Sequence, residues 1–313
     1  CFILISCTES KRQIVPTPPN NVIIILADDQ GWGSTSVQMD LNISESASDY
    51  VKTPNLERLA KKGVVFSNGY AASPNCSPTR ASILTGKTPA QLKITDIINR
   101  HEGVLYEGNK LNPPAHLYGL PEKEITIAEL IKTNLPKYKT GHFGKWHLAA
   151  NGPNAHGFDD SDGETANVEG NTKINSNPKD IFGITSRSIS WMNEQVKSET
   201  PFFMQISHYA THLAMESRLE TKNKVKTYVP GNRHSKSGFA AMSEDLDTGI
   251  GMLLDQIEKL GITENTYVIY LGDNGTYPTK NNSNINGPLH GWKATLWEGG
   301  IKVPFIISGP GIE

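Results

Sequence analysis

Cysteine is nearly absent from this chain. Three occur in 313 residues, and Cys1 and Cys7 both fall in the opening apolar run, so Cys76 stands alone in the body of the sequence. A single thiol there excludes an internal disulfide framework, and stability must come from a packed core. No run of 18 apolar residues occurs, so no segment reads as a membrane-spanning helix. An excess of either charge is missing too: 30 basic against 32 acidic residues give a net charge of −2. That balance gives no support for a nucleic-acid surface, and no nucleic-acid partner is expected. Internal repeats and low-complexity tracts are also lacking. The length and ordinary apolar content suit one large domain or two small ones.

The chain opens on the apolar Cys1–Cys7, and the polar Thr8–Gln13 follows at once. This reads as the tail of an export signal peptide. Leu4-Ile5-Ser6-Cys7 is similar to a bacterial lipobox, which would place a lipid anchor on Cys7. The expectation is an exported protein, periplasmic or membrane-anchored as a lipoprotein; an ordinary cleaved signal is the alternative. Pro16-Thr17-Pro18-Pro19 reads as an extended linker.

Val22–Leu26 is a continuous β-branched and leucine run, suited to a strand covered on both faces of a parallel sheet. Thr53-Pro54 predicts a helix start, with Thr53 as N-cap and Pro54 first in the helix. That helix carries Leu56 and Leu59, stops near Gly63, and a strand follows at Val64–Phe66. Phe239, Met242, Leu246, Ile250, Leu253, Leu254, Ile257 and Leu260 recur at helical spacing, with Gly261 as the stop. Thr266–Leu271, Phe202–Ile206 and Val303–Ile307 read as further strands. Strands alternating with helices predict an α/β sheet. Two irregular stretches, roughly 87–123 and 150–180, are either binding-site loops or plain surface insertions.

Polar clusters follow the strands, and in open α/β sheets ligands bind beyond the carboxyl ends of strands. Asp28-Asp29 follows the first strand: adjacent carboxylates that call for a cation, or a turn with a helix cap. Asp273-Asn274-Gly275 follows the strand at 266–271, and it too is a good turn sequence. Together they offer hard oxygen ligands that suit Ca²⁺ or Mg²⁺ better than zinc. In Gly144-Lys145-Trp146-His147, Lys145 and His147 are two apart, so an extended segment puts them on one side, ready to hold an anion and move a proton. On an ordinary loop the same two residues are simply solvated. His208 and His212 follow the strand at 202–206, where one can be a packed neutral imidazole. Lys293 precedes Glu298-Gly299-Gly300, and a lone lysine faces solvent by default. Cys76 itself can be a small buried hydrophobe or a plain cysteine nucleophile with a histidine base.

Cys76-Ser77-Pro78-Thr79-Arg80, with Leu84-Thr85-Gly86 behind it, matches C-x-P-x-R followed by L-T-G. Taken in order with Asp28-Asp29, Gly144–His147, His212, Asp273-Asn274 and Lys293, it resembles the type I, formylglycine-dependent sulfatases of the alkaline-phosphatase superfamily, arylsulfatase-like. The likeness runs from Val22 to about Gly311. It implies a mixed, largely parallel central sheet with helices on both faces, and a smaller C-terminal subdomain missing from this chain. On this reading residues 1–20 are a signal remnant plus linker and 21–313 the sulfatase catalytic domain.

The resemblance implies Ca²⁺ (or Mg²⁺) on Asp28, Asp29, Asp273, Asn274 and the modified Cys76. It implies that Cys76 is oxidised to formylglycine by a formylglycine-generating or sulfatase-maturating enzyme, and that Arg80 orients it. Lys145 and Lys293 would hold sulfate oxygens, with His147 as the base that releases product and His212 beside the leaving-group oxygen. Thr211 stands where the family usually has Pro, Ala149 where Gly is common, and Lys302 where Arg is usual. The implied activity is sulfuric ester hydrolysis on a sulfated carbohydrate, with aryl sulfates as surrogates. The alternatives are a phosphomonoester or phosphonate hydrolase of the same superfamily, or an inactive glycan-binding lipoprotein. His101, Tyr106, His116 and Tyr118 are candidates for a sugar subsite or for packing.

Overall fold

In strand β1 (Asn21–Ala27) successive side chains point to opposite faces, and both faces are covered. Ile23 and Ile25 enter one hydrophobic cluster and Ile24 another, so a continuous apolar run is what this position requires. The computed structural model describes residues 20–98, 117–277 and 286–312; Cys1, Cys7, the linker prolines, His101, Tyr106 and His116 lie outside them. After β1 come α1 (Pro54–Lys61), β2 (Gly63–Val65), α2 (Cys76–Thr85), α3 (Pro89–Leu92), α4 (Ile127–Asn134), β3 (Lys139–Gly144) and β4 (Asp160–Ser161). Then follow α5 (Ile181–Lys197), β5 (Phe202–Ser207), α6 (Leu219–Val225), α7 (Ser237–Lys259), β6 (Thr266–Gly272), α8 (Glu298–Ile301) and β7 (Phe305–Ser308).

The strands form one 7-stranded sheet in the order β2-β7-β6-β1-β5-β3-β4. Neighbours from β6 through β4 pair in parallel, and β7 runs antiparallel to both β6 and β2. The sheet is thus mixed and largely parallel, as expected. Apolar residues of α1, α5 and α7 cover one face: Leu56, Ile184, Met192, Leu246 and Ile250 meet Ile23, Met204 and Tyr270. On the other face Ala81 and Leu84 of α2, Ala128 of α4, Trp146 and Phe158 meet Ile24 and Phe203. Among the described residues no helix is long and apolar enough to cross a membrane.

Two local expectations need correction. Pro54 does open α1, but Thr53 caps nothing with its side chain, because its hydroxyl accepts the Ser36 N–H at 2.9 Å. Asp247 of α7 serves instead, its carboxylate accepting the N–H groups of Asn55 (3.0 Å) and Leu56 (2.9 Å). The last strand begins at Phe305, not Val303, since Pro304 has no N–H for the ladder.

Candidate active site

The polar clusters meet because β1 lies between β5 and β6, all three parallel, so their carboxyl ends open at one edge of the sheet. Asp28 and Asp29 leave β1, Asp273 and Asn274 leave β6, Lys145 leaves β3, and the chain from His208 to His212 leaves β5. Cys76 is the first residue of α2, and Arg80 is one turn further along it. Apart from half-buried His212, all of these are buried.

Asp28, Asp29 and Asp273 each offer a carboxylate oxygen within 4.8 Å of the others. The Asp29 N–H donates to Asp273 Oδ1 at 3.0 Å, and Asn274 Nδ2 donates to Asp29 Oδ1 at 2.8 Å. Lys145 Nζ reaches Asp28 Oδ2 and Lys293 Nζ reaches Asp29 Oδ1, both at 2.5 Å. Arg80 donates from Nε (3.0 Å) and Nη2 (2.8 Å) to Asp273 Oδ2, and from Nη1 to the Lys145 carbonyl at 2.7 Å. Asp28 Oδ1 and Asn274 Oδ1 are buried and accept no hydrogen bond. Two orphaned acceptors beside three clustered carboxylates fit a hard divalent cation, since a buried lone pair without a donor is costly.

The electrostatics agree with that chemistry. Burial alone would raise Asp28, but the charges of Lys145, His212, Arg80 and Lys293 outweigh it and hold the carboxyl well below the usual range. Burial and the Asp28 carboxylate instead push Asp273 up to about 7. Neighbouring carboxylates this close oppose one another's ionisation, and Asp273 is the one that gives way. Burial pushes the Cys76 thiol up, with Lys145 and Lys293 only partly opposing. Its Sγ lies 3.4 Å from His147 Nδ1. Burial, with Lys145 and Arg80 beside it, lowers His147 to about 2, so that imidazole is neutral. Burial also lowers His212, whose Nε2 is 3.9 Å from Asp29 Oδ2.

Lys145 and His147 do converge, with the Lys145 charge acting directly on the His147 ring. Strand β3 ends at Gly144 with φ +92°, where a Cβ would fall 2.1 Å from the Ser207 carbonyl oxygen. His147 then takes φ +57° and donates its N–H to the Thr165 carbonyl at 2.7 Å. His208 is the packed imidazole: it is buried, lowered to about 4 by that burial, and its Nδ1 finds no partner.

Above this floor opens a cavity of about 480 Å³, with Asp29, His147, His212 and Lys293 at its base and Ile97, Ile98, Ala166, Asn167, Val168, Leu213 and Tyr277 as walls. Sequence reasoning missed these wall residues individually, although Ile97, Ile98 and 166–168 fall in the two irregular stretches. Tyr118 is not among the lining residues. Thr211 was noted only as a departure. Its hydroxyl donates to the carbonyls of Asp28 (3.1 Å) and Asp29 (3.2 Å), tying the β1 and β5 ends together.

A family model described as Sulfatase matches residues 20–313. An ulvan-active sulfatase of Formosa agariphila is 30% identical over all of this chain and 61% of its own length. The dog N-acetylgalactosamine-6-sulfatase is 29% identical over 95% of this chain and 58% of its own length. The chain therefore spans about 60% of the length of these curated relatives. Among solved structures, Ps i-CgsB superposes with a TM-score of 0.74 at 25% identity, over 94% of this chain and 66% of that one.

Proposed function

Since the chain belongs to the sulfatase family, we propose that it hydrolyses a sulfate ester of a carbohydrate, with the group made from Cys76 as nucleophile. The observation that carries this reading is the buried set around Cys76: three clustered carboxylates, two lysines and a neutral histidine beneath one open cavity. The names of the two relatives, one ulvan-active and one acting on N-acetylgalactosamine 6-sulfate, support a sulfated sugar as the substrate class.

A sulfate ester resists attack because its oxygens carry negative charge and its leaving alcohol is a poor one. Positive groups fixed in a dry site answer the first problem. Lys145 and Lys293 hold the sulfate oxygens. Asp28, Asp29, Asp273 and Asn274 would hold a Ca²⁺ or Mg²⁺ ion, which supplies further charge against the sulfate. Arg80 locks Asp273 in place and braces the Lys145 backbone. His212 faces the leaving-group side, where its Nε2 accepts a hydrogen bond and the Lys293 ammonium gives the alcohol its proton, while His147 Nδ1, neutral and 3.4 Å from Sγ, accepts one from the group at position 76.

An unmodified Cys76 suits this task poorly. A cysteine nucleophile needs a lowered thiol pKa, whereas burial raises this one. Oxidation to formylglycine by a maturating enzyme would replace the thiol with an aldehyde whose hydrate is the nucleophile. Export, with or without a lipid on Cys7, goes with the same reading.

Turnover of an aryl sulfate against the matching aryl phosphate tests it. The sulfate is expected to be the better substrate, and Cys76→Ala is expected to abolish turnover. A preference for phosphate would make the chain a phosphoester hydrolase, and glycan binding without hydrolysis a binding protein. Near-normal activity of Cys76→Ala would remove Cys76 from the chemistry.

A further inference from the structure

Lys179 is a buried cation that the reaction described above does not use. It is fully buried and takes part in no ion pair among the described residues. Its ammonium donates to Asn171 Oδ1 at 2.9 Å and to the Leu213 carbonyl at 3.2 Å. The same carbonyl lies 2.5 Å from His212 Nδ1. A carbonyl only accepts, so Nδ1 must carry the proton in that contact, and Nε2 is the atom left facing Asp29 and the cavity. Lys179 is itself held in an uncommon backbone conformation, with φ +52°, and Asp180 shares it at φ +52°. Glu216 anchors the arrangement by accepting the Lys179 N–H at 3.2 Å and the Lys173 N–H at 3.1 Å.

The geometry points to Lys179 as the positioning residue for His212, fixing the carbonyl that sets the imidazole's orientation and tautomer. The chain of contact runs from a buried ammonium to a backbone oxygen to Nδ1–H, and it ends with Nε2 aimed into the cavity. The Leu213 side chain lines that cavity, so one short loop supplies both a wall and the latch. Burial lowers the Lys179 ammonium, while Glu216, Asp28 and Asp29 pull it the other way; a neutral side chain of similar size would keep the packing and lose the donor. The effect on catalysis rests on the role given to His212 above, whereas the effect on the tautomer does not.

Two readouts test this. Nitrogen-15 NMR of histidine-labelled protein, with His212 assigned by comparison with His212→Gln, reads the tautomer without any substrate. The wild-type protein is expected to hold its His212 proton on Nδ1. Lys179→Met is expected to move the population toward the Nε2–H form, and Lys179→Arg to restore the wild-type signals. A wild-type His212 protonated on Nε2, or unchanged His212 signals in folded Lys179→Met, would overturn the proposal; the wild-type measurement decides even where Lys179→Met does not fold. In turnover, Lys179→Met is expected to lower kcat roughly 10- to 100-fold at nearly constant KM. An unchanged kcat in folded Lys179→Met would contradict the positioning role. A tautomer shift in a protein that hydrolyses no sulfate ester would uphold Lys179 and overturn the reaction instead.

Discussion

Asp273 is the residue whose chemistry most depends on what sits beside it. Without a cation, burial and Asp28 push its carboxyl to about 7, so below that pH it carries a proton that a metal ion must displace. Ca²⁺ affinity is therefore expected to weaken as pH falls below 7 and to level off above it. Calorimetry near pH 6 in two buffers of different ionisation enthalpy should show about one proton released per ion bound. Binding with no proton release would mean that Asp273 is not a ligand. At this scale the sequence is most informative where function needs a charged or reactive group. Asp28, Asp29, Cys76, Arg80, Lys145, His147, His212, Asp273, Asn274 and Lys293 were all legible as a set, and the fold brings them to one place. The walls Ile97, Val168, Leu213 and Tyr277 were not legible, because an apolar side chain at a cavity mouth looks the same in sequence as one on any loop. Lys179 was hidden for a related reason: a lysine among polar neighbours reads as solvated until its burial is seen.

At the scale of elements, α7 and β1 were readable and α1 half so. A long apolar stripe at helical spacing and an unbroken β-branched run each admit one structure. The cap of α1 was misplaced because the local signal at Thr53 is satisfied by Ser36, and the carboxylate that caps the helix comes from 192 residues away. No local pattern announces a tertiary cap. Asp247→Ala is expected to destabilise the protein by about 1–2 kcal/mol, the usual worth of a helix cap, with sulfate-ester turnover preserved in what remains folded. Urea unfolding measures it, and an unchanged midpoint would show that water replaces the carboxylate at no cost. Helix α5 escaped the sequence reading because Thr185 and Ser188 lie among its buried residues and dilute the apolar stripe.

For the whole molecule, the α/β architecture followed from alternating strands and helices, and the position of the site followed from strand order. The sequence alone could not supply that order: β1 pairs with strands that begin near residues 202 and 266, and long-range pairing leaves no periodic trace. The same topology ties stability to the site, because the carboxylates join the ends of β1 and β6. A cation bound only by the folded chain at roughly 100 times its Kd adds about 2.7 kcal/mol. Chelation is accordingly expected to lower the thermal midpoint by several degrees, and an unchanged midpoint would argue against a cation there. The account stands or falls on the chemical state of residue 76. Mass spectrometry of the Cys76 peptide from protein that turns over an aryl sulfate measures it directly. The account predicts an aldehyde or its hydrate in place of the thiol, and fully active protein whose Cys76 remains a free thiol would contradict it.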